Sequence, residues 1–271
     1  MNLQSLADLL SRVRAERPLI HHITNTVTVN DCANVTLCIG AAPVMAEAPE
    51  EVGEMAAMAD ALVLNIGTLS HHQVASMLEA GRRANEYNVP VIIDPVGAGA
   101  TRMRTDAALM LIDRLEVAVL KGNAGEIGAL AGAGGKVRGV DSQGAGGDAL
   151  TIARTYAKDA GTTVVISGAT DIVTDGSRVM LVDNGHEMMG RLSGTGCMAA
   201  SLAGAFAAVS SDYVTSSAAA LAAFGLAGEV AAVRAAGPYS FRTALFDELA
   251  ALLPEDLLKG ARVRSVETHE L

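Results

Sequence analysis

The stretch Ala61-Leu62-Val63-Leu64-Asn65-Ile66-Gly67-Thr68 decides the fold. An apolar run of this length closed by Gly-Thr reads as a strand buried on both faces and then a tight turn, and Ser70 to Asn88 behind it is helical. The unit recurs. Val89-Pro90-Val91-Ile92-Ile93-Asp94 is the next strand, with a helix expected over Asp106 to Arg114. Val117-Ala118-Val119-Leu120 follows, with Glu126 to Ala131 helical. After Gly132 to Gly147, expected to be a flexible loop, Asp148 to Asp159 is a helix and Thr163-Val164-Val165-Ile166 another β-branched strand. Successive βα units specify an α/β fold with a mostly parallel central sheet and helices on both faces.

Upstream, Leu6, Leu9, Leu10 and Val13 give a first helix over Ser5 to Arg14 that ends before Pro18, and Leu19 to His22 is a short strand. Thr24-Asn25-Thr26 can cap a second helix that runs to Ile39, with Gly40 as its stop. Pro43-Val44-Met45 is a short apolar step, and Pro49 is placed to open the next helix. Downstream, Asp171 to Thr174 and Arg178 to Val182 flank Asp175-Gly176-Ser177 as a hairpin. Helices are then expected over Cys197 to Val209, Thr215 to Ala235 and Ser240 to Leu253, with the charged residues from Lys259 only loosely attached. No linker or repeat divides the chain, so residues 1–271 read as one domain.

Composition narrows the function classes. The chain is 50% hydrophobic, much of it alanine, with 28 Gly and no Trp, so the core is built from small and aliphatic side chains. Its 20 Lys and Arg against 30 Asp and Glu give a formal net charge of -10, which argues against a nucleic-acid surface, because phosphate contacts supply most of that affinity. Cys32, Cys38 and Cys197 are too few and unpatterned for a disulfide framework or zinc site, and point to a reducing, cytoplasmic setting. The first residues carry no signal-peptide pattern. Leu192 to Ser211 is uncharged and has the length of a membrane span, but its Ala, Gly, Ser and Thr content and its opening glycine turn favour a buried helix, so no membrane association is expected.

In open α/β sheets ligands bind beyond the carboxyl ends of the strands. Asp94 and Glu126 reach that edge from different strands, and two unpaired carboxylates there would repel each other. A cation between them is one solution, and Mg²⁺ fits best, since it takes one or two carboxylates plus substrate phosphates. The alternative is that Asp94 caps a turn before Pro95 and Glu126 caps its helix. Lys121 can offer a point charge to a phosphate, and Ser167-Gly168 a hydroxyl and open backbone to a nucleotide. Gly194-Thr195-Gly196-Cys197, opening an uncharged helix, reads as an anion site. Gly134-Gly135-Lys136 continues with Val137, so there is no P-loop, and no Rossmann fingerprint is present. His21 and His22 alternate across a strand and cannot bind one metal, and His71 and His72 are expected to face solvent.

Together, His22-Ile23-Thr24-Asn25, Ala42-Pro43-Val44-Met45, Asn65-Ile66-Gly67-Thr68-Leu69, Asp94-Pro95-Val96-Gly97-Ala98, Lys121-Gly122-Asn123-Ala124-Gly125-Glu126-Ile127 and Gly194-Thr195-Gly196-Cys197 resemble the hydroxyethylthiazole kinases, with every block in order. The resemblance implies a ribokinase-like fold and ATP-dependent phosphorylation of the primary alcohol of 4-methyl-5-(2-hydroxyethyl)thiazole in thiamine salvage. It implies that Asp94 and Glu126 organise Mg²⁺ and phosphate, that Lys121, Ser167 and Gly196 contact ATP, and that Asn25, Met45, Gly67 and Gly194 line the thiazole pocket. It also implies a homotrimer with the pocket shared between subunits. Cys197 stands where the wider ribokinase-like group has an aspartate base; a thiol at a helix N-terminus can have its pKa lowered and accept the alcohol proton late in the reaction, and the alternative is a small buried residue whose neighbouring amides, 194 to 197, do most of the work. The competing readings are a hydroxymethylpyrimidine or pyridoxal kinase of the same fold and a non-catalytic nucleotide-binding protein.

Overall fold

The computed structural model describes residues 2–133 and 146–266. All but the ends of the loop expected between Gly132 and Gly147 lies outside the described residues. Among the described residues nine strands form one sheet: β1 (Leu19–Ile23), β2 (Ala42–Met45), β3 (Ala61–Asn65), β4 (Val91–Asp94), β5 (Val119–Asn123), β6 (Thr163–Ser167), β7 (Asp171–Thr174), β8 (Val179–Val182) and β9 (Val263–Ser265). Their order is β2-β1-β3-β4-β5-β6-β7-β8-β9, with the first six parallel and the last three added antiparallel.

Strand alternation divides the core into two layers. Leu62, Leu64, Val91, Ile93 and Leu120 pack with α3 (Val52–Met58), α4 (His71–Glu86), α5 (Arg102–Arg114), α6 (Ala124–Ala133) and α7 (Gly146–Ala160). Ala61, Val63, Ile92, Val119 and Val165 face the other way, toward α1 (Leu3–Glu16), α2 (Val29–Ile39), α8 (Thr195–Ala207), α9 (Tyr213–Arg234) and α10 (Pro238–Ala251). The side-chain period of two on strands buried from both sides accounts for the continuous apolar runs. Small residues let α8 lie against the sheet. A Cβ added at Gly204 would stand 2.7 Å from Val63 Cγ2 and 3.4 Å from Ile20 Cγ2, so a larger residue there would push the helix outward.

The alternation is as expected; several boundaries differ. α2 starts at Val29, because the Asn25 side chain holds the preceding segment as a turn, accepting from the amides of Val27 at 3.1 Å and Thr28 at 3.0 Å. Pro49 sits in a turn and α3 begins at Val52. α5 begins at Arg102, capped by Thr101. β5 runs on through Lys121, Gly122 and Asn123. The tail from Lys259 is not loose throughout: α11 (Pro254–Gly260) leads into β9, whose Val263, Arg264 and Ser265 pair with Val182, Leu181 and Met180.

The stretch from Leu192 to Ser211 is not one span. Its helical part, α8, has 13 residues and is buried against the sheet. The one helix among the described residues long and apolar enough to cross a membrane is α9, and 72% of its apolar window is buried inside the protein.

Candidate active site

Asn65 and Asp94 end β3 and β4 and are register partners, and the pairing of Ile93 with Leu120 puts Lys121 next in the same row. Asp94 shares its face with Ile92, Asn65 with Val63 and Lys121 with Val119, which is the face that α8 covers. All three are buried. Strand period and register alone thus bring an amide, a carboxylate and an ammonium side by side under one helix N-terminus.

That N-terminus is open. Gly194, the N-cap, has φ 93, and a Cβ on it would fall 2.3 Å from Thr28 Cγ2, so conformation and space both require glycine. The first intrahelical bond is Met198 N to Gly194 O, which leaves the amides of Thr195, Gly196 and Cys197 free to meet an anion. A Cβ on Gly196 would lie 3.1 Å from Lys121 Nζ, so the ammonium and these amides share one spot. No hydrogen-bond or ion-pair partner holds Lys121 among the described residues. An amide nest backed by a desolvated cation is suited to phosphate.

Burial pushes the Asp94 carboxyl up to about 6, and the charge of Glu126 adds to the rise, while Lys121 and hydrogen bonds from Asn65 and Cys197 oppose it. Glu126 does cap its helix. Its Oε2 accepts from the Asn123 amide at 2.8 Å while its own amide donates to Asn123 Oδ1 at 2.9 Å, a reciprocal box. Its Oε1 accepts from the Gly97 amide at 2.8 Å and ties β5 to the loop after β4. Asp94 does not cap a turn; it accepts from Asn65 Nδ2 at 2.7 Å. No cluster of three or more His, Cys, Asp or Glu side chains among the described residues could cage a metal. Two mutually repelling carboxylates instead suit a cation that takes the rest of its shell from water and phosphate, as Mg²⁺ does.

Cys197 departs from expectation. Burial pushes its thiol up, the negative Asp94 pushes it further, and hydrogen bonds from Thr28 and Asn65 only partly offset this. The push is upward, opposite to the lowering a helix N-terminus would give, so the thiol stays protonated at neutral pH. Asn25 Nδ2 donates to its sulfur at 3.4 Å and to Asn65 Oδ1 at 3.0 Å. Gly67 closes the same corner, since a Cβ there would lie 2.9 Å from Asn25 Cβ. Met45 ends β2 in register with His22 and is half-buried. Asn25, Gly67, Gly194 and Cys197 are therefore brought together, with Met45 at the same sheet edge on the outermost strand.

On the other side of the Gly194–Cys197 turn lies a cavity of about 570 Å³, lined by Ser167, Gly168, Asp171, Thr195, Gly196 and Phe224 among others. Ser167 Oγ donates to Gly122 O at 3.3 Å. Asp171 carries no motif that singles it out in the sequence; burial pushes its carboxyl up to about 6 against the pull of the Gly168 amide and Lys121. Arg104 was also unmarked. It donates to the carbonyls of Ile66 at 3.1 Å, Val96 at 2.9 Å and Gly67 at 2.9 Å, and so fixes the loops after β3 and β4. A polar first helical turn gives no sequence signal for this. His21 and His22 are both buried, with burial lowering the second to about 4, and His71 and His72 are exposed as expected. A larger cavity, about 840 Å³, lies at the opposite strand edge beside Pro90, Ala118 and Thr162, away from this chemistry.

A model of the "Hydroxyethylthiazole kinase family" matches residues 10–255. Similar proteins include the hydroxyethylthiazole kinase of Methanocella arvoryzae, 66% identical over 97% of this chain and 99% of the relative, and that of Roseiflexus sp., 56% identical over 96% of each. A solved hydroxyethylthiazole kinase protein from Pyrococcus horikoshii superposes with a TM-score of 0.90 at 45% identity, over 97% of this chain and 99% of that one. The pyridoxal kinase of Staphylococcus aureus in complex with pyridoxal superposes with a TM-score of 0.58 at 16% identity, which is a likeness of fold, ribokinase-like.

Proposed function

The chain belongs to the hydroxyethylthiazole kinase family, and from that premise we propose that it transfers the γ-phosphoryl group of ATP to the hydroxyl of 4-methyl-5-(2-hydroxyethyl)thiazole, in thiamine salvage. The observation that carries this reading is the buried row of Asn65, Asp94 and Lys121 beneath the free amides of Thr195, Gly196 and Cys197. Relatives sharing more than half of the sequence carry this kinase's name, which leaves the pyrimidine, pyridoxal and non-catalytic readings unfavoured.

The thiazole alcohol sits against Asn25, Met45, Gly67 and Gly194, with its hydroxyl toward Cys197. ATP occupies the cavity beside Ser167, with its terminal phosphate between Lys121 and the Gly196 turn. Asp94 and Glu126 hold Mg²⁺, which when bound neutralises charge on the phosphates. Lys121 and the amides take up charge on the transferred group, the main requirement of a loose transition state. A protonated Cys197 is not a base standing ready. It packs and orients the alcohol, whose proton passes to an oxygen of the transferred phosphoryl group once the new O–P bond has largely formed.

The reading extends to the assembly. Val27, two residues from Asn25, is 68% exposed, and Met45 lies half-buried on the edge strand, so one wall of the alcohol pocket is open. A homotrimer whose neighbouring subunit supplies that wall fits this surface. The free, partly or fully buried thiols Cys32, Cys38 and Cys197 suit the cytoplasm.

A coupled ADP-release assay tests the reading. We expect release that needs both the thiazole alcohol and Mg²⁺, and ADP release indifferent to the alcohol overturns it. In the same assay Cys197→Ala should lose no more than about tenfold in kcat, and a loss of a thousandfold would restore the thiol as the base.

A further inference from the structure

We propose that Asn65 is a positioning residue that joins the alcohol pocket to the phosphoryl-transfer end of the site, so that one side chain sets both. The inference rests on the kinase reading above. Asn65 is 1% exposed and spends each end of its amide on a different half of the site. Its Nδ2 donates to Asp94 Oδ2 at 2.7 Å. Its Oδ1 accepts from Asn25 Nδ2 at 3.0 Å and from the Gly67 amide at 2.9 Å. Asn25 is fixed in turn, its Oδ1 taking the Thr28 hydroxyl at 3.1 Å and its Nδ2 reaching Cys197 Sγ at 3.4 Å.

Only a short amide can fill this place. It donates to a carboxylate and accepts from an amide in one planar group with no charge, whereas an ionised aspartate only accepts and leucine does neither. Because the group is buried, each bond left unmade leaves a dry polar atom, so the two arms cannot relax independently. Register explains why the link exists: β3 sets Asn65 beside Asp94, and the turn after β1 delivers Asn25 to its other end. A displacement of Asn25 by the alcohol is thereby felt at the carboxylate.

Two readouts on the full chain test this: calorimetric titration with the thiazole alcohol alone, free of nucleotide and metal, and steady-state kinetics with Mg-ATP. Asn65→Asp keeps the acceptor for Asn25 and Gly67 and sets a second carboxyl against Asp94, where the pair repels or shares one proton in place of the amide's donation. We expect its Kd for the alcohol to stay within about threefold while kcat falls on the order of thirtyfold. Asn65→Leu loses both arms, and its Kd should also rise about tenfold. Adding Asn25→Ala to Asn65→Leu should raise Kd by less than Asn25→Ala does in the wild type, because the part of its effect that runs through Asn65 is already gone. Equal loss of binding and turnover in Asn65→Asp, or full additivity in the double variant, overturns the proposal. Should Asn65→Leu fail to fold, the split between Kd and kcat in Asn65→Asp decides alone. Wild-type protein that does not bind the alcohol instead overturns the substrate reading, and the link falls with it.

Discussion

Asp94 is held in a form that its surroundings oppose. Its carboxyl titrates near 6 in the fold against 3.8 for the ordinary group, a difference worth about 3 kcal/mol. The sign follows from linkage. Because the folded pKa is raised, the strain is absent below about pH 4, grows as pH rises through 6, and is complete at neutrality. Asp94→Asn should therefore be more stable than wild type at pH 7 by about 1–3 kcal/mol, with the gap closing toward pH 4, while Mg²⁺-dependent turnover is lost. Denaturant unfolding of both proteins at pH 4, 6 and 7.5 checks this, and a gap independent of pH would contradict it. The comparison must be a difference, since His22, lowered to about 4 by burial, makes wild-type stability fall on acidification and works against Asp94. The candidate roles of Asp94 and Lys121 were legible from residue type and position after a strand. The role of Asn65 was not, because its meaning lies in which residue of the next strand it faces.

Among elements, α8 carries the site and its first turn tolerates least. Gly194→Ala places a Cβ at φ 93 and against Thr28, a buried residue held by Asn25. We expect a loss of about 2–4 kcal/mol in unfolding free energy and a raised KM for both substrates, since the amide nest and the Asn25 corner shift together. Calorimetric melting and initial rates would show it, and an unchanged Tm would count against the strain. The strands whose apolar runs are long, β3, β4 and β6, were readable from sequence because each is covered on both faces. β5 reaches three residues beyond its apolar run, since Lys121 and Asn123 look like loop residues until α8 is there to receive the first. β9 escaped notice for the opposite reason: a three-residue edge strand that is mostly exposed has no apolar run to betray it.

At the scale of the whole molecule, the proposed homotrimer would close the open wall beside Asn25. Light scattering should give a mass near three times the 27.7 kDa chain, and Val27→Glu should shift it toward monomer and raise the KM for the alcohol. A trimer unaffected by Val27→Glu would move the interface elsewhere. The sheet and its covering helices were legible because hydrophobic period is a local property; the assembly surface is not written as a period. The depth of α8 has one more consequence, for the order in which the chain is made. β1 through β6, with Asn65, Asp94 and Lys121 in place, leave the ribosome before the helix that covers them. Until α8 docks, that row is hydrated and Asp94 carries its charge at little penalty. The desolvation is thus loaded onto a late event in biogenesis, because a nascent chain stalled before Thr195 lacks the helix that buries the row.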